Sequence, residues 1–234
     1  MAGKLYLIPT TLGDSPHDRS FPDFNNHIVK GLKHFVVEEL RTARRFLKKV
    51  DRSIDIDALT IDVLNEHTDG KDVSEMLLYA MNGEDIGVVS EAGCPAVADP
   101  GADIVSVAHL KGIEVIPLVG PSSILMSLMA SGFNGQNFAF IGYLPIKPNE
   151  KAKRIKQIES RVYNENQTQI FIEAPYRNNQ MMETLTKQLS PNTRLCVAAD
   201  ITLDKEFIVT KTAAEWKKSM PELHKRPTIF LIYK

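Results

Sequence analysis

The first half of this chain alternates between short apolar runs rich in β-branched residues and segments whose apolar residues recur at helical spacing. The expected strands are residues 4–8, 34–37, 59–64, 86–89 and 114–118, and the expected helices are 27–32, 41–49, 73–81 and 102–110. Strands that alternate with helices form parallel sheets. The alternation therefore predicts an α/β domain whose ligands bind beyond the carboxyl ends of the strands.

The pattern changes after Gly120-Pro121. A helix is expected at residues 122–131, and strands are expected near 138–143, 168–172, 194–199, 206–210 and 228–233. Because several of these strands follow one another without room for a helix, antiparallel pairing is expected. A chain of 234 residues is long enough for two domains. We therefore predict a mostly parallel domain at residues 1–118 and a mixed-sheet α/β domain at 119–234.

Composition excludes several classes of protein. The chain has two cysteines, Cys94 and Cys196, and its six histidines lack metal-ligand spacing, so neither a disulfide framework nor a metal site is expected. No apolar run approaches the roughly 18 residues of a membrane span, and the first residues lack a signal-peptide core. The predicted location is the cytoplasm. The P-loop, dinucleotide-binding, HExxH and GxSxG signatures are also absent.

The net charge of −1 argues against a protein that coats nucleic acid through its overall field. Two local basic runs nevertheless occur, at residues 41–49 and 151–156. Each run by itself is interpreted as a solvated helix face. A polyanionic substrate would favour a binding role instead.

Residues 90–101, which read SEAGCPAVADPG, form the connection most typical of a ligand site. Two prolines and two glycines define its path, and its small residues allow a ligand to approach the backbone closely. It joins an expected strand to an expected helix, where amide groups can bind a ligand. An ordinary connection is the alternative, although twelve residues is long for one. Cys94 is interpreted as a close-packed small residue because no base is visible beside it.

This loop and six further motifs follow the order seen in a known family. The motifs are LYLIPTTLGD at 5–14, VEELRTAR at 37–44, NEH at 65–67, PLVGPSS at 117–123, GYLP at 142–145 and EAPYR at 173–177. Together they resemble the motifs of the tetrapyrrole methylases. The opening and central loops are most similar to those of the branch that methylates ribosomal RNA.

The resemblance implies an S-adenosylmethionine (SAM)-dependent enzyme that methylates the ribose 2′-hydroxyl of a cytidine in 16S ribosomal RNA. It also implies a homodimer with SAM in the cleft between the domains. The first domain would lie on the substrate side, and the second would bind SAM and form the dimer contacts. The implied SAM-binding residues are Pro9, Ala92, Gly93, Cys94, Val97, Ala98, Asp99, Gly120, Pro121, Ser122 and Ser123.

The segment Gly120-Pro121-Ser122-Ser123 also has a physical interpretation. Glycine permits close approach, proline is expected to open a helix, and the two hydroxyls lie where the first amides of that helix need partners. A helix N-terminus suits the carboxylate of SAM better than its sulfonium.

Methylation of a ribose hydroxyl is helped by a base. The candidates are Glu38 and Glu39, which end an expected strand just before a basic helix. The alternative, an acidic first turn favoured by the helix dipole, remains open. Arg41 is a further catalytic candidate, and it lies three residues before Arg44, on the same face, where both would hold phosphate.

Glu91, Tyr176 and Arg177 complete the expected substrate side, where a tyrosine ring would stack and a guanidinium would add charge. The family pattern has aspartate at Glu91, threonine at Leu40 and histidine at Tyr176. These departures leave two alternatives open. One is a methyltransferase that acts on a tetrapyrrole or another small molecule, and the other is a SAM-binding protein without catalysis.

Overall fold

The computed structural model describes residues 2–64, 68 and 70–234. The motif at 65–67 lies outside the described residues. The chain forms two compact units, Met1–Ser122 and Ser123–Lys234. The division thus falls four residues beyond the boundary expected from the sequence.

The first unit contains a five-stranded sheet with helices on both faces. Its strands are β1 (Lys4–Ile8), β2 (His34–Val37), β3 (Thr60–Val63), β4 (Ile86–Val89) and β5 (Glu114–Pro117). Its helices are α1 (Asp23–Gly31), α2 (Leu40–Val50), α3 (Gly70–Met76), α4 (Leu78–Met81) and α5 (Gly101–Leu110). The strands lie in the order β3-β2-β4-β1-β5, and each neighbouring pair is parallel. The predicted parallel α/β sheet is therefore confirmed.

Alternate residues of one strand supply both hydrophobic cores of this unit. In β2, Val36 packs into the cluster formed with α3 and α5, whereas Phe35 and Val37 pack into the cluster formed with α1 and α2. Because side chains of a strand alternate between the two faces, a sheet covered on both sides needs near-continuous apolar strands. All four residues of β2 and all four of β4 are buried accordingly.

The strand order creates a switch point between β1 and β4. The connection from β1 to β2 contains α1 on one face of the sheet, whereas the connection from β4 to β5 contains α5 on the other face, although β1 and β4 are neighbours. The two outgoing connections therefore separate at the carboxyl edge of the sheet. Ligands of open α/β sheets bind at such a point.

The second unit has a mixed sheet. Its strands are β6 (Phe138–Tyr143), β7 (Thr168–Ile172), β8 (Arg194–Ala199), β9 (Phe207–Thr212) and β10 (Thr228–Tyr233), in the order β6-β7-β10-β8-β9. Its helices are α6 (Ser123–Ser131), α7 (Pro148–Glu165), α8 (Asn178–Gln188) and α9 (Ala213–Trp216). β6 and β7 are parallel, and the other pairs are antiparallel, which confirms the expected mixed sheet.

Helix boundaries in three segments differ from those expected. α1 begins at Asp23, directly after Pro22. The φ of Pro22, near −63°, suits the start of a helix. The segment expected as one helix at 73–81 divides at buried Leu77, whose φ of −88° and ψ of 0° leave the helical region. The helix after Pro121 begins at Ser123, so proline does not occupy its first turn.

Helix α8 was not expected from the sequence. No side chain caps its N-terminus, so the capping residue that usually marks a helix start in a sequence is missing. Its buried residues Met181 and Leu185, followed by Leu189, are nevertheless four apart, and this periodicity was the available signal. Across the described part of the chain, none of the helices is both long and apolar enough to cross a membrane.

Candidate functional site

Three loops of the first unit converge at the carboxyl ends of neighbouring strands. They are residues 9–14 after β1, 90–100 after β4 and 118–122 after β5. The first two are joined at the switch point, where the Thr10 amide donates to the Gly93 carbonyl at 2.9 Å and the Gly93 amide donates to the Thr10 carbonyl at 3.3 Å. The topology and the hydrogen bonds thus mark the same position as the sequence motif.

Side chains reinforce this junction. The buried Ser90 hydroxyl donates to the Gly93 carbonyl at 2.7 Å, and the Thr10 hydroxyl donates to the Ser90 carbonyl at 3.2 Å. The Cys94 thiol donates to the carbonyl of Pro121 at 3.4 Å and connects the third loop. Burial raises the pKa of this thiol, so a protonated, packed cysteine fits the geometry better than a nucleophile does.

Two glycines allow the loops to approach closely. Gly93 has a φ of +75°, and a Cβ there would lie 3.1 Å from Cδ2 of Leu12. A Cβ on Gly120 would lie 2.2 Å from Cγ of the Pro9 ring, a distance at which the proline has to shift. Pro9, Gly93 and Gly120, which the resemblance assigned to SAM, are therefore first of all packing partners that shape the loops.

The central loop contains strained backbone. Ala96 and Ala98 have φ values of 64° and 59°, a region that non-glycine residues rarely adopt. One oxygen of Asp99 accepts hydrogen bonds from the amides of Ala96 at 2.7 Å and Gly101 at 2.8 Å and holds this conformation. Ala92, Val97 and Ala98 are exposed. The loop thus presents small side chains and backbone to solvent, and such strain clusters at functional sites.

The structure separates the two adjacent carboxylates proposed as bases. Glu39 is exposed and caps α2, because its side chain accepts from the amides of Arg41 at 2.9 Å and Thr42 at 2.7 Å and from the Thr42 hydroxyl at 2.8 Å. The backbone hydrogen bonds from Arg41 and Thr42 lower the pKa of Glu39. Its oxygens are therefore occupied in starting the helix.

Glu38 lies in a different environment. It is half-buried and lines a cavity of about 10 Å³ together with Asp99 and the ends of β2 and β4. Burial, followed by the negative charges of Asp99 and Glu91, raises the pKa of Glu38 to about 7. A carboxyl group that titrates near neutral pH is suited to accept a proton.

A groove of about 500 Å³ runs between the loop after β1 and helix α2. The lining residues are Thr10, Thr11, Leu12, Gly13, Asp14, Thr42, Arg45, Phe46, Lys49, Glu91 and Ala92. The cations that face it are Arg45 and Lys49, whereas Arg41 and Arg44 are exposed on α2 outside the lining set. The sequence interpretation chose the latter pair. The helical spacing around buried Phe46, which places Thr42 and Lys49 on its face of α2, was the sequence signal for the cations of the groove.

Contacts within this groove hold Lys49 and Glu91 in place. The Lys49 ammonium donates to the Ser15 carbonyl at 2.7 Å and lies 3.4 Å from a carboxylate oxygen of Asp14. Burial raises the pKa of Glu91, opposed by a hydrogen bond from the Thr42 side chain and assisted by the charge of Glu39. The groove therefore combines two cations with carboxyl groups.

The remaining candidates belong to the second unit. Tyr176 and Arg177 lie in a short 3-10 turn after β7, and Arg177 donates to the tyrosine hydroxyl at 2.7 Å. Arg177 also donates to buried Glu173 at 2.6 Å, and the buried Lys151 ammonium donates to the same carboxylate at 3.0 Å. Burial alone would raise the pKa of Glu173, but hydrogen bonds from Arg177, Ala174 and Lys151 outweigh it and lower the pKa.

Ser122 ends the first unit, and Ser123 begins α6 in the second. Within residues 2–64, 68 and 70–234, no three histidine, cysteine, aspartate or glutamate side chains are grouped to hold a metal ion.

Comparison with known proteins gives related sequences that share one name. Residues 28–217 match the family model of the tetrapyrrole (corrin/porphyrin) methylases. A protein of Bacillus subtilis named ribosomal RNA small subunit methyltransferase I is 29% identical over 91% of this chain and 68% of its own length. Its namesake in Xylella fastidiosa is 29% identical over 91% of this chain and 73% of its own length, and that of Escherichia coli O157:H7 is 26% identical over 88% and 68%.

The fold is also similar to a solved structure. The crystal structure of the methyltransferase CobJ superimposes with a TM-score of 0.65 and 18% identity, covering 100% of this chain and 95% of that one. The predicted class, a parallel α/β sheet followed by a mixed one, is thereby confirmed. The family model covers most of the chain, so the chain belongs to the tetrapyrrole (corrin/porphyrin) methylases and is a methyltransferase.

Proposed function

We propose that this protein uses SAM to methylate the ribose 2′-hydroxyl of a cytidine in 16S ribosomal RNA. The name shared by its relatives supports a small-subunit RNA substrate. The observation that carries the proposal is the placement of Glu38, with a pKa of about 7, at the carboxyl edge that also holds the three joined loops and a groove with two cations.

The loops of the first unit fit SAM. Ala92, Val97 and Ala98 are small or apolar and exposed, so a flat adenine can reach the backbone beside them. We assign the donor to this loop, with Pro9, Gly93, Cys94 and Asp99 shaping it from behind, to Gly120–Ser122, and to Ser123 at the start of α6. When bound, SAM supplies a methyl carbon already activated by its sulfonium.

Glu38 is assigned as the proton acceptor. Its carboxylate oxygen would take the proton of the 2′-hydroxyl as that oxygen attacks, because a base with a pKa near the working pH transfers protons most effectively. Base catalysis of this kind contributes roughly 10²- to 10⁴-fold. Glu39 is assigned to positioning, since its helix cap fixes the first turn of α2 next to Glu38.

The groove beside α2 is assigned to the ribose–phosphate backbone. Arg45 and Lys49 face it and would hold phosphate, while the carboxyl of Glu91 and the hydroxyl of Thr42 lie where ribose hydroxyls can bind. Arg41 and Arg44 add positive charge on the adjacent exposed face of the same helix. Tyr176 and Arg177 are proposed as further RNA contacts, through stacking and charge.

We also propose a cytoplasmic homodimer, as the motif resemblance implies, in which the first unit lies on the substrate side and the second contributes to SAM binding and the dimer contact. Exposed apolar side chains of the second unit, such as Met129 and Tyr143, offer contact area for a second copy. Light scattering of the purified protein would give the expected mass of two chains. A single-chain mass at micromolar concentration would contradict the dimer.

Transfer of labelled methyl from SAM tests the function. Purified small ribosomal subunits that lack the modification, free small-subunit RNA and a tetrapyrrole precursor are offered in parallel. Label on a cytidine ribose of the subunit RNA is expected. Label on the tetrapyrrole alone would contradict the RNA substrate, and SAM binding without transfer to any of the three would point to a protein without catalysis.

A further inference from the structure

Helix α7 of the second unit carries an exposed basic face that no step of the proposed reaction uses. The α7 basic face consists of Lys153, Arg154, Lys156 and Arg161, with neutral Gln157 and Ser160 between them. These residues line a shallow open depression of about 770 Å³ along the helix. Four of the 28 basic residues of a chain with net charge −1 thus fall within nine positions.

The opposite face of α7 explains why the helix is stable without these cations. Ile155, Ile158 and Val162 are fully buried and pack against the sheet of the second unit. Lys151, also buried, pairs with Glu173. The helix is therefore anchored by its apolar face, and its exposed charges are not needed to hold it to the unit.

The cations of the α7 basic face make few ion pairs, although Glu150 lies four residues before Arg154 and Glu165 lies four residues after Arg161. Surface helices commonly alternate glutamate and lysine four residues apart. The carboxylate within this stretch is Glu159, which is buried and accepts from the amide of Ser190 at 2.6 Å and the hydroxyl of Thr193 at 2.7 Å. It lies 3.4 Å from Lys156. In the described part of the chain, no carboxylate lies within 4.0 Å of the charged groups of Lys153, Arg154 and Arg161.

We propose that the α7 basic face is a second RNA-binding surface, which contacts backbone phosphates of the substrate away from the methylated ribose. The proposal rests on the proposed function, because the polyanion it names is the same ribosomal RNA. From Lys153 to Arg161 the helix rises about 12 Å, since each residue adds about 1.5 Å. A nucleic acid strand places one phosphate roughly every 3.4 Å of axis, so several phosphates lie within reach.

The chemistry of the face favours RNA over other anionic partners. Gln157 and Ser160 are polar, so the face offers no apolar side chains to insert between lipids. Arginine and lysine without bound carboxylates bind phosphate without reading sequence. Such contacts position a long substrate, and they leave the chemistry to the groove in the first unit.

The test compares two triple variants of the full chain. Lys153→Gln/Lys156→Gln/Arg161→Gln removes three exposed cations of the α7 basic face, and Lys187→Gln/Lys217→Gln/Lys218→Gln removes three exposed cations elsewhere in the second unit. Both change net charge equally. The Kd for a small-subunit RNA fragment is measured at several salt concentrations, together with SAM affinity and thermal stability.

We expect the α7 variant to bind RNA about tenfold or more weakly near 0.1 M salt, with a salt slope reduced by roughly 2 to 3. The expected control variant shows less than a threefold change, and both retain SAM affinity and melting temperature. Equal RNA affinities for the two variants would overturn the α7 surface while the proposed function stands. A wild-type protein that neither binds nor methylates the RNA would overturn both proposals. If polyglutamate at equal charge displaces the RNA, the partner of the α7 basic face is an acidic polypeptide and the RNA proposal is overturned.

Discussion

Glu38 and Asp99 line one small cavity at the carboxyl ends of β2 and β4, where burial and then the charge of Asp99 raise the pKa of Glu38 to about 7. Asp99 is itself fixed, since one of its oxygens accepts from the amides of Ala96 and Gly101. The central loop, through the charge of Asp99, therefore adds to the effect of burial on the pKa of the proposed base. This link connects the motif at 90–101 with the reaction.

Replacing the proposed base tests this link directly. Glu38→Gln is expected to lower kcat by about 10²- to 10⁴-fold while SAM affinity is retained. The wild-type rate should rise with pH and level off above about 7, because the base acts when deprotonated. The variant should lose this dependence. A pH–rate series checks it, and a wild-type rate that is flat between pH 6 and 8 would exclude the assignment.

Glu39 provides the neighbouring control. Glu39→Ala removes the cap of α2 and is expected to lower the melting temperature by a few degrees with kcat little changed. The pKa of Glu39 is lowered in the folded protein, so its contribution is present above the unfolded value of about 4.3 and is lost as pH falls through the folded one. Thermal melts at pH 3 to 7 measure this. A large loss of kcat with unchanged stability would instead make Glu39 the base.

The packing of Pro9 on Gly120 predicts a loss of SAM binding. In Gly120→Ala the new Cβ would meet the proline ring at 2.2 Å, so the loop after β1 has to move. Overpacking of this kind costs about 1–3 kcal/mol, and we expect SAM affinity to fall about tenfold. Gly31→Ala is the control, since a Cβ there meets nothing within 4 Å. Calorimetric titration with SAM compares the two variants. Equal SAM affinities would show that the contact between Pro9 and Gly120 does not affect SAM binding.

Adjacent arginines of α2 distinguish the groove from the exposed face. Arg45→Gln removes a cation that lines the groove, whereas Arg44→Gln removes an equally exposed cation outside the lining set. The KM for RNA should rise more for Arg45→Gln, and the salt slope of binding should fall by about 1. Steady-state kinetics at two salt concentrations measure both effects. A larger change in KM and salt slope for Arg44→Gln would favour Arg41 and Arg44, the phosphate-binding pair expected from the sequence.

The buried carboxylate of Glu173 predicts a stability effect in the second unit. Glu173→Gln leaves buried Lys151 without its charge partner, and breaking a buried ion pair costs about 3–5 kcal/mol. The pKa of Glu173 is lowered on folding, so its stabilisation is present above the unfolded value and is lost as pH falls through the folded one. Urea unfolding measures the change. Glu183→Gln, which breaks an exposed pair, is expected to change stability by less than about 1 kcal/mol, and equal effects would contradict the burial argument.

Local patterns predicted most of the elements. β4, and β2 apart from His34, consist of apolar residues because both faces of a parallel strand are covered, and this run of apolar residues can be recognised in the sequence. α8 was not predicted, since its start lacks a capping side chain and its periodicity rests on few residues. The boundary at Ser122–Ser123 also differs from the expected one, because a domain boundary depends on contacts across the whole unit and not on composition nearby.

The amino-acid sequence by itself determined the fold class, the family and the loops that carry its motifs, because apolar periodicity and short motifs are local properties. It did not separate Glu38 from Glu39, or Arg44 from Arg45, which are neighbours in the chain with the same chemistry. The tertiary structure gives the members of each pair different environments. Glu39 caps α2 whereas Glu38 is half-buried beside a small cavity, and Arg45 lines the groove whereas Arg44 does not. Burial, charge and groove position arise from β2, β4 and α2 packed together, and no single segment contains them.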